Sequence, residues 1–341
     1  MSKFFKMLLF AFIILILVLA AIVLCYFYVG KQPVAKSITW GVDFSQSHAE
    51  YLKLNWKEAF LAIIKDLGVK NIKLHTNWSW VEGKIDNFYF KDIDWQIKQA
   101  EDNNVKIIYV IGMKTGRWPE CHIPDWAKNL SKDQQQQELF KYIREVVLRY
   151  KDSKSIAYWQ VENEPLFKFG ECPLWYYENE DFLKEEINLI KKLDPLRQII
   201  ISDSGEQSSW FKVAQIGDIV GITLYRNVWT HITDTFGFGS SYTFLNPTTY
   251  ARKAQLIKKM FSKKIICIEL QAEPWTSKPL MQTTLGEQLN SMNADVFNEN
   301  IEFAKATGLD TFYLWGVEWW YKIKSQQNHA EIWEAAKQLF K

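Results

Sequence analysis

Two short stretches hold residues whose types and spacing could do chemistry. In SIAYWQVENEP (155–165), Glu162, Asn163 and Glu164 close an apolar run and Pro165 stops it. In KIICIELQAEPW (264–275), Glu269 ends a second apolar run and Glu273 follows in the next turn of chain. A carboxylic acid can donate a proton to a leaving oxygen, and an amide beside it can hold a substrate hydroxyl. A second carboxylate facing the first completes the equipment of glycoside hydrolysis. In its retaining form the two groups stand about 5–5.5 Å apart, one as nucleophile and one as acid and then base. Each needs a different pKa, set by its surroundings. Both Glu269 and Glu273 remain candidates for the nucleophile.

Such residues need a scaffold that brings distant strand ends together. From residue 38 onward, short apolar runs alternate with amphipathic ones. Eight read as strands: 37–44, 71–76, 105–112, 155–162, 198–203, 218–225, 264–270 and 310–316. Between them the spacing predicts helices near 54–67, 92–103, 133–150, 179–193, 208–215, 247–260, 284–305 and 328–340. Alternation of this kind predicts parallel strands with helical crossovers. Eight units predict closure into an α/β (β/α)8 barrel, which puts the active site at the C-terminal strand ends. Glu164 ends the fourth strand and Glu269 the seventh. The loops 112–130, 165–178 and 226–246 are expected to carry substrate specificity.

Residues 7–29 contain no charge. A bilayer core needs about 20 such residues, whereas a secretory signal has an apolar stretch of about 7–15. Tyr26, Phe27 and Tyr28 suit the membrane–water interface, and Lys3 and Lys6 are expected to stay cytoplasmic. Residues 1–30 thus read as a signal anchor, with cleavage as the alternative. Residues 31–37 read as a tether and 38–341 as the catalytic barrel outside the cytoplasm, held to the cell membrane by a single pass.

The net charge of +2, from 41 basic and 39 acidic residues, gives no support to a nucleic-acid partner. No phosphate loop, dinucleotide fingerprint or zinc-spaced Cys/His pair is present, so neither cofactor nor metal is expected. The chain is expected to act as a monomer. Trp, Tyr and Phe make up 16% of it. Flat rings in loops are what a sugar stacks on. Cys121 and Cys172 lie in loops after adjacent strands and could form a disulfide if their Cα atoms are within about 7 Å.

The motifs WQVENEP (159–165), CIELQAEPW (267–275), GITLY (221–225) and LWGVEWW (314–320) resemble glycoside hydrolase clan A, the retaining barrel glycosidases of cellulase and mannanase type. The resemblance covers about residues 38–341. It implies that Glu164 is the acid/base, Glu269 the nucleophile and Asn163 the ligand of the substrate 2-hydroxyl. It implies that Tyr225 hydrogen-bonds the nucleophile and that Trp315 floors the reacting sugar. WSWVEGKIDNFYFKDIDW (78–95) is similar to the region after strand two in such enzymes, which puts Trp78, Trp80 and Glu82 near the mouth. Trp118, Trp275 and Glu318 are further candidates for sugar contact. Three positions depart from the clan pattern. Lys73 stands where an Arg is usual on strand two, Thr223 stands where many families have His, and strand three ends on Gly112, Lys114 and Arg117 without a His. Lys lacks the rigid bidentate fork of Arg, and at position 73 it could instead neutralise a catalytic carboxylate. The sequence implies a glycosidase acting on a β-linked carbohydrate. A barrel that binds sugar without cleaving it, and a cell-surface interaction protein, are the readings from other classes.

Overall fold

A computed structural model describes residues 3–177, 179–228 and 240–341. Residues 229–239 of the loop 226–246 lie outside the described residues. All eight expected strands form. They are β1 (Thr39–Phe44), β2 (Asn71–His75), β3 (Lys106–Ile111), β4 (Ile156–Val161), β5 (Ile199–Asp203), β6 (Ile219–Leu224), β7 (Lys264–Gln271) and β8 (Thr311–Trp315). They are parallel and hydrogen-bonded in sequence order, and β8 pairs with β1 to close the barrel.

Two apolar cores explain why these strands carry side chains suited to burial on both faces. Ile108, Ile200, Ile219, Ile266, Ile268 and Tyr313 fill the barrel interior. The other faces pack against the helical shell, in one continuous cluster that includes Val42, Leu74, Ile107, Val161, Leu224 and Leu270. Ile266 and Ile268 both point inward, so strict alternation would make residue 270 the next inward one. Instead β7 carries one extra residue there. Against β6, Ile222 pairs with Cys267 but Thr223 pairs with Glu269, and the pairing with β8 shifts at the same place. Such a bulge re-aims the side chain that follows it. Leu270 goes to the outer core and Glu269 turns inward.

The helices follow the expected pattern, apart from short unforeseen ones at Gln46–Tyr51 and Trp78–Val81 and two larger differences. The segment 284–305 is two helices, Leu285–Ser291 and Ala294–Ala306, because Asn293 caps the second through Asp295 N and Val296 N. A helix not foreseen, Val317–Gln327, follows β8 directly. Near the N-terminus, Phe4–Tyr28 is a helix long and apolar enough to cross a membrane. At its C-terminal end, Thr249 Oγ1, Asn246 Nδ2 and Thr248 Oγ1 donate to the carbonyls of Phe27, Tyr28 and Gly30 at 3.1, 2.8 and 2.6 Å.

The loop after β3 is a tight hairpin. Lys114 pairs with Cys121 across it, and His122 N donates to Met113 O at 2.9 Å. Arg117, Trp118 and Glu120 form its tip. Cys121 is bonded to Cys172 in the loop after β4, with Cα atoms 5.2 Å apart. The bridge spans a sequence separation of 51 residues, for which chain-entropy arguments give about 4 kcal/mol and observed values run about 2–4. Cys172→Ser should therefore lower the unfolding free energy in urea by about 2–4 kcal/mol. A change under about 0.5 kcal/mol would mean that the loops hold each other without the bridge.

Candidate active site

The strand register sets the site. Asp43 on β1 is the register partner of Lys73 on β2 and of Trp315 on β8, and Thr223 on β6 is the partner of Glu269 on β7. Lys73 has no exposed surface. Its Nζ lies 2.6 Å from Glu269 Oε1 and 2.9 Å from Asp43 Oδ2. Burial works against the charged ammonium, but Asp43 and Glu269 outweigh it and raise the Lys73 pKa. Burial likewise opposes an ionised Asp43, yet His75 and Lys73 hold its carboxyl well below the usual range. His75 Nε2 stands 2.5 Å from Asp43 Oδ1, and its Nδ1 meets the carbonyl of Thr115. The second oxygen of Glu269 accepts from Tyr225 Oη at 2.8 Å.

Glu164 has a different setting. Its backbone N–H donates to Ser202 Oγ at 2.8 Å, and Lys114 Nζ donates to its carbonyl at 2.9 Å. Its carboxyl Oε1 lies 3.3 Å from Thr223 Oγ1. Thr223 and Tyr225 are two apart on β6, so they share a face, and each touches one of the two carboxylates. Burial pushes the Glu164 pKa up to about 8. Lys114 opposes that rise, and the negative charges of Glu269, Glu120 and Glu206 add to it. Both Glu162 and Glu164 have left-handed backbone, with φ of 59° and 45°. Strain of this kind in a non-glycine residue costs about 1–3 kcal/mol and must be held by its surroundings. Glu162 supplies that hold. It accepts from Met113 N at 2.7 Å, Lys114 N at 2.5 Å and Tyr176 Oη at 2.8 Å. Gly112 makes room for it, since a Cβ there would lie 2.1 Å from Glu162 Oε1.

A cleft of about 640 Å³ opens between Trp118, Glu120, Phe169, Trp275 and Trp315. Arg117 stacks on Trp315, its guanidinium carbon 3.6 Å from the ring centre. The edge of Tyr225 meets Trp275. Trp118 is 64% exposed at the rim. Asn163 Oδ1 accepts from Gln160 Nε2 at 3.0 Å, which turns its amide nitrogen away from the strand.

The sequence model of glycosyl hydrolase family 10 matches residues 42–338. The chain belongs to glycosyl hydrolase family 10. It is a glycoside hydrolase of clan A, as the motifs implied. No curated protein matches it by sequence. Among solved structures it is similar to xylanase 10B from Thermotoga maritima, at 14% identity and a TM-score of 0.60, over 89% of this chain and 95% of that one. It is also similar to xylanase 10B from Thermotoga petrophila in complex with xylobiose, at 14% identity and a TM-score of 0.59, over 92% and 98%. A third similar structure is a β-galactosidase from Halorubrum lacusprofundi, at 15% identity and a TM-score of 0.58, over 89% of this chain but 57% of that one. At these identities the likeness speaks for the fold.

Within this family 10 barrel, three sequence expectations need correction. Trp78 is not at the cleft. It is fully buried against Trp126 and Tyr142, and its Nε1 donates to Glu82 Oε2 at 2.8 Å, so Glu82 is likewise a core residue. Glu318 is fully buried and reaches no sugar. It accepts from Ser45 N and from Arg117 Nη2, the latter at 3.3 Å. Lys73, a candidate either for substrate contact or for neutralising a carboxylate, is fully buried against Asp43 and Glu269, which fits the second. The structure brings Asn163, Glu164, Tyr225 and Glu269 together in the barrel mouth and places Trp118, Trp275 and Trp315 around the cleft.

Sequence reasoning missed Asp43, Glu120 and Glu206. A charged residue near the end of an apolar strand was the available signal for Asp43. Glu206 accepts from Tyr225 N and from Tyr250 Oη, both at 2.9 Å, and burial pushes its pKa up to about 7. Glu273, the rival nucleophile, is occupied by Arg117 Nη1 and His48 Nε2, each at 2.8 Å. Burial opposes its ionisation, but Arg117 and His48 hold its pKa at about 2. His48, Glu273 and Glu318 converge closely enough to ligate a cation, and Arg117 is the cation that bridges the two glutamates.

Removing one member of a buried ionic group strands the others, at a cost of about 3–5 kcal/mol. Lys73→Met should therefore lower stability to urea by about that amount and reduce kcat/KM on aryl glycosides by at least about 100-fold. Tyr225→Phe should fold normally and lose about 10- to 100-fold in kcat/KM. Equal activity in all three proteins would show that Glu269 needs neither donor.

Proposed function

We propose that this family 10 hydrolase cleaves a β-linked polysaccharide by double displacement, with Glu269 as nucleophile and Glu164 as acid/base. The observation that carries the reading is the contrast between the two carboxyl groups. Glu269 has a donor on each oxygen, from Lys73 and Tyr225. Glu164 is buried, with its pKa raised, so it holds a proton at neutral pH and can give it to a leaving oxygen. In the first step a Glu269 oxygen bonds to the anomeric carbon as the glycosidic C–O bond breaks, and the Glu164 proton moves to the departing oxygen. In the second step Glu164 takes a proton from water, the water oxygen bonds to the anomeric carbon, and the bond to Glu269 breaks. Asn163 would donate to the 2-hydroxyl, while Trp315, Trp275 and Trp118 would supply ring faces to the sugars. The similarity to xylanases makes β-1,4-xylan the first polymer to test.

We also propose that the helix Phe4–Tyr28 anchors the barrel at the outer face of the cell membrane. The hydrogen bonds from Asn246, Thr248 and Thr249 to the C-terminal end of this helix and to Gly30 support a barrel held close to the bilayer.

Reducing-sugar release from xylan, β-glucan, β-mannan and galactan by the full chain tests the first reading. Glu269→Ala should abolish release, and proton NMR of early product should show a retained β-anomer. Sugar binding with no release from any polymer would favour a non-catalytic barrel. The pH profile has a definite sign. Glu164 must be protonated in the free enzyme, so kcat/KM should fall as pH rises through about 8. Glu164→Gln should remove that limb, and it should spare aryl glycosides with good leaving groups more than xylan. A limb unchanged in Glu164→Gln would assign the acid elsewhere.

A further inference from the structure

Glu120 is a third carboxylate in the mouth, and nothing in the double displacement uses it. The fold goes to some length to put it there. It sits at the tip of the hairpin after β3 with a left-handed φ of 73°, between the cis peptide at Trp118–Pro119 and the disulfide at Cys121. Its carbonyl accepts from Thr115 N at 3.1 Å, which closes the hairpin under it. Gly170 from the loop after β4 packs so tightly on its stem that a Cβ there would lie 2.5 Å from Glu120 Cβ. The side chain lines the cleft beside Trp118, Trp275 and Trp315. The Asn163 side chain lies beside its carboxyl and works against the rise in its pKa. Its Oε2 is buried and has no hydrogen-bond partner.

A buried carboxylate oxygen left without a donor costs about 1–3 kcal/mol or more, because it has given up water for nothing. A binding site recovers that cost when the ligand brings the donor. A sugar has only hydroxyls to offer. Resting on the proposed function, with Asn163 at the 2-hydroxyl, the hydroxyl next along the ring toward Glu120 is the 3-hydroxyl. We infer that Glu120 accepts a hydrogen bond from the 3-hydroxyl of the sugar whose 2-hydroxyl Asn163 holds, so that the pair selects glycones with a free 2,3-diol. A residue whose 3-oxygen is already in a linkage has no hydrogen to give. Internal units of 1,3-linked chains are therefore excluded from this subsite, whereas 1,4-linked units fit. Burial pushes the Glu120 pKa up to about 7, with Lys114 opposing and Glu269 adding to the rise.

The test uses the full chain, Glu120→Gln and Glu120→Ala, with aryl β-xylosides in parent, 2-deoxy and 3-deoxy forms. The native protein should prefer the parent over the 3-deoxy sugar by about 10- to 100-fold in kcat/KM. In Glu120→Ala that preference should fall to within about threefold, and in Glu120→Gln it should be intermediate, while both variants keep the native preference over the 2-deoxy sugar. Melting curves establish that each variant is folded, and the Gln variant alone decides the matter if the Ala variant is not. Loss of rate that is equal on parent and 3-deoxy sugars would make Glu120 a structural residue and overturn the assignment. So would loss of the 2-deoxy preference instead. If the native chain cleaves none of these glycosides, the same ratios are read as Kd by calorimetry with methyl β-xyloside and its deoxy forms. Binding without cleavage then sinks the proposed catalysis and leaves Glu120 testable, and absence of binding overturns both.

Discussion

The Lys73 ammonium sits inside the barrel with no exposed surface, and the arrangement of the mouth follows from what it requires. An ammonium in that position is tolerated only if anions meet it with good geometry. Asp43 comes from the adjacent strand in direct register, and Glu269 crosses from β7. Three strands are thereby fixed against one another at their C-terminal ends. Asp43 in turn fixes His75, and Glu269 engages Tyr225, so the group reaches β6 as well. A Lys at this position offers a point charge where a guanidinium would offer a fork. The second oxygen of Glu269 is then free for the tyrosine, and one ammonium serves two carboxylates.

The other half of the site is built on strain and burial. Glu164 leaves β4 through two left-handed residues, and the chain stays there because Glu162 is bonded to the backbone of the hairpin after β3. Lys114 returns from that hairpin to the Glu164 carbonyl, and the Cys121–Cys172 bridge ties the hairpin to the loop after β4. Holding Glu164 in this way keeps it from water, which is the main cause of its raised pKa. Two glutamates of the same chemistry thus have different surroundings: one is flanked by donors and the other is desolvated.

The barrel was legible because its signal is periodic and spread over many residues. Glu164 and Glu269 were legible because each closes an apolar run with a distinctive neighbour. The inward turn of Glu269 was not, since it depends on the extra residue at Ile268, and a bulge leaves no mark in an unbroken run of Ile, Cys and Ile. Trp78, Glu82 and Glu318 were expected at the mouth because aromatic and acidic residues after a strand look alike whether they face a cleft or a core; burial alone separates them. Glu120 stood in plain view in GRWPECHIP, but its place in the mouth depends on a φ of 73° and on a position beside Asn163, which lies on another strand end. The helix Val317–Gln327 was hidden because its Trp-rich start reads as a continuation of the strand before it.

Double displacement requires that Glu269 become covalently bonded to the sugar. A 2-deoxy-2-fluoro xyloside with a dinitrophenyl leaving group slows both steps and speeds formation relative to hydrolysis, so the intermediate should accumulate. Fragmentation mass spectrometry of the peptide spanning Lys264–Lys278 would then locate the added mass. A single fluoroxylosyl group is expected on Glu269. The same group on Glu273, or turnover with inversion and no adduct, would contradict it.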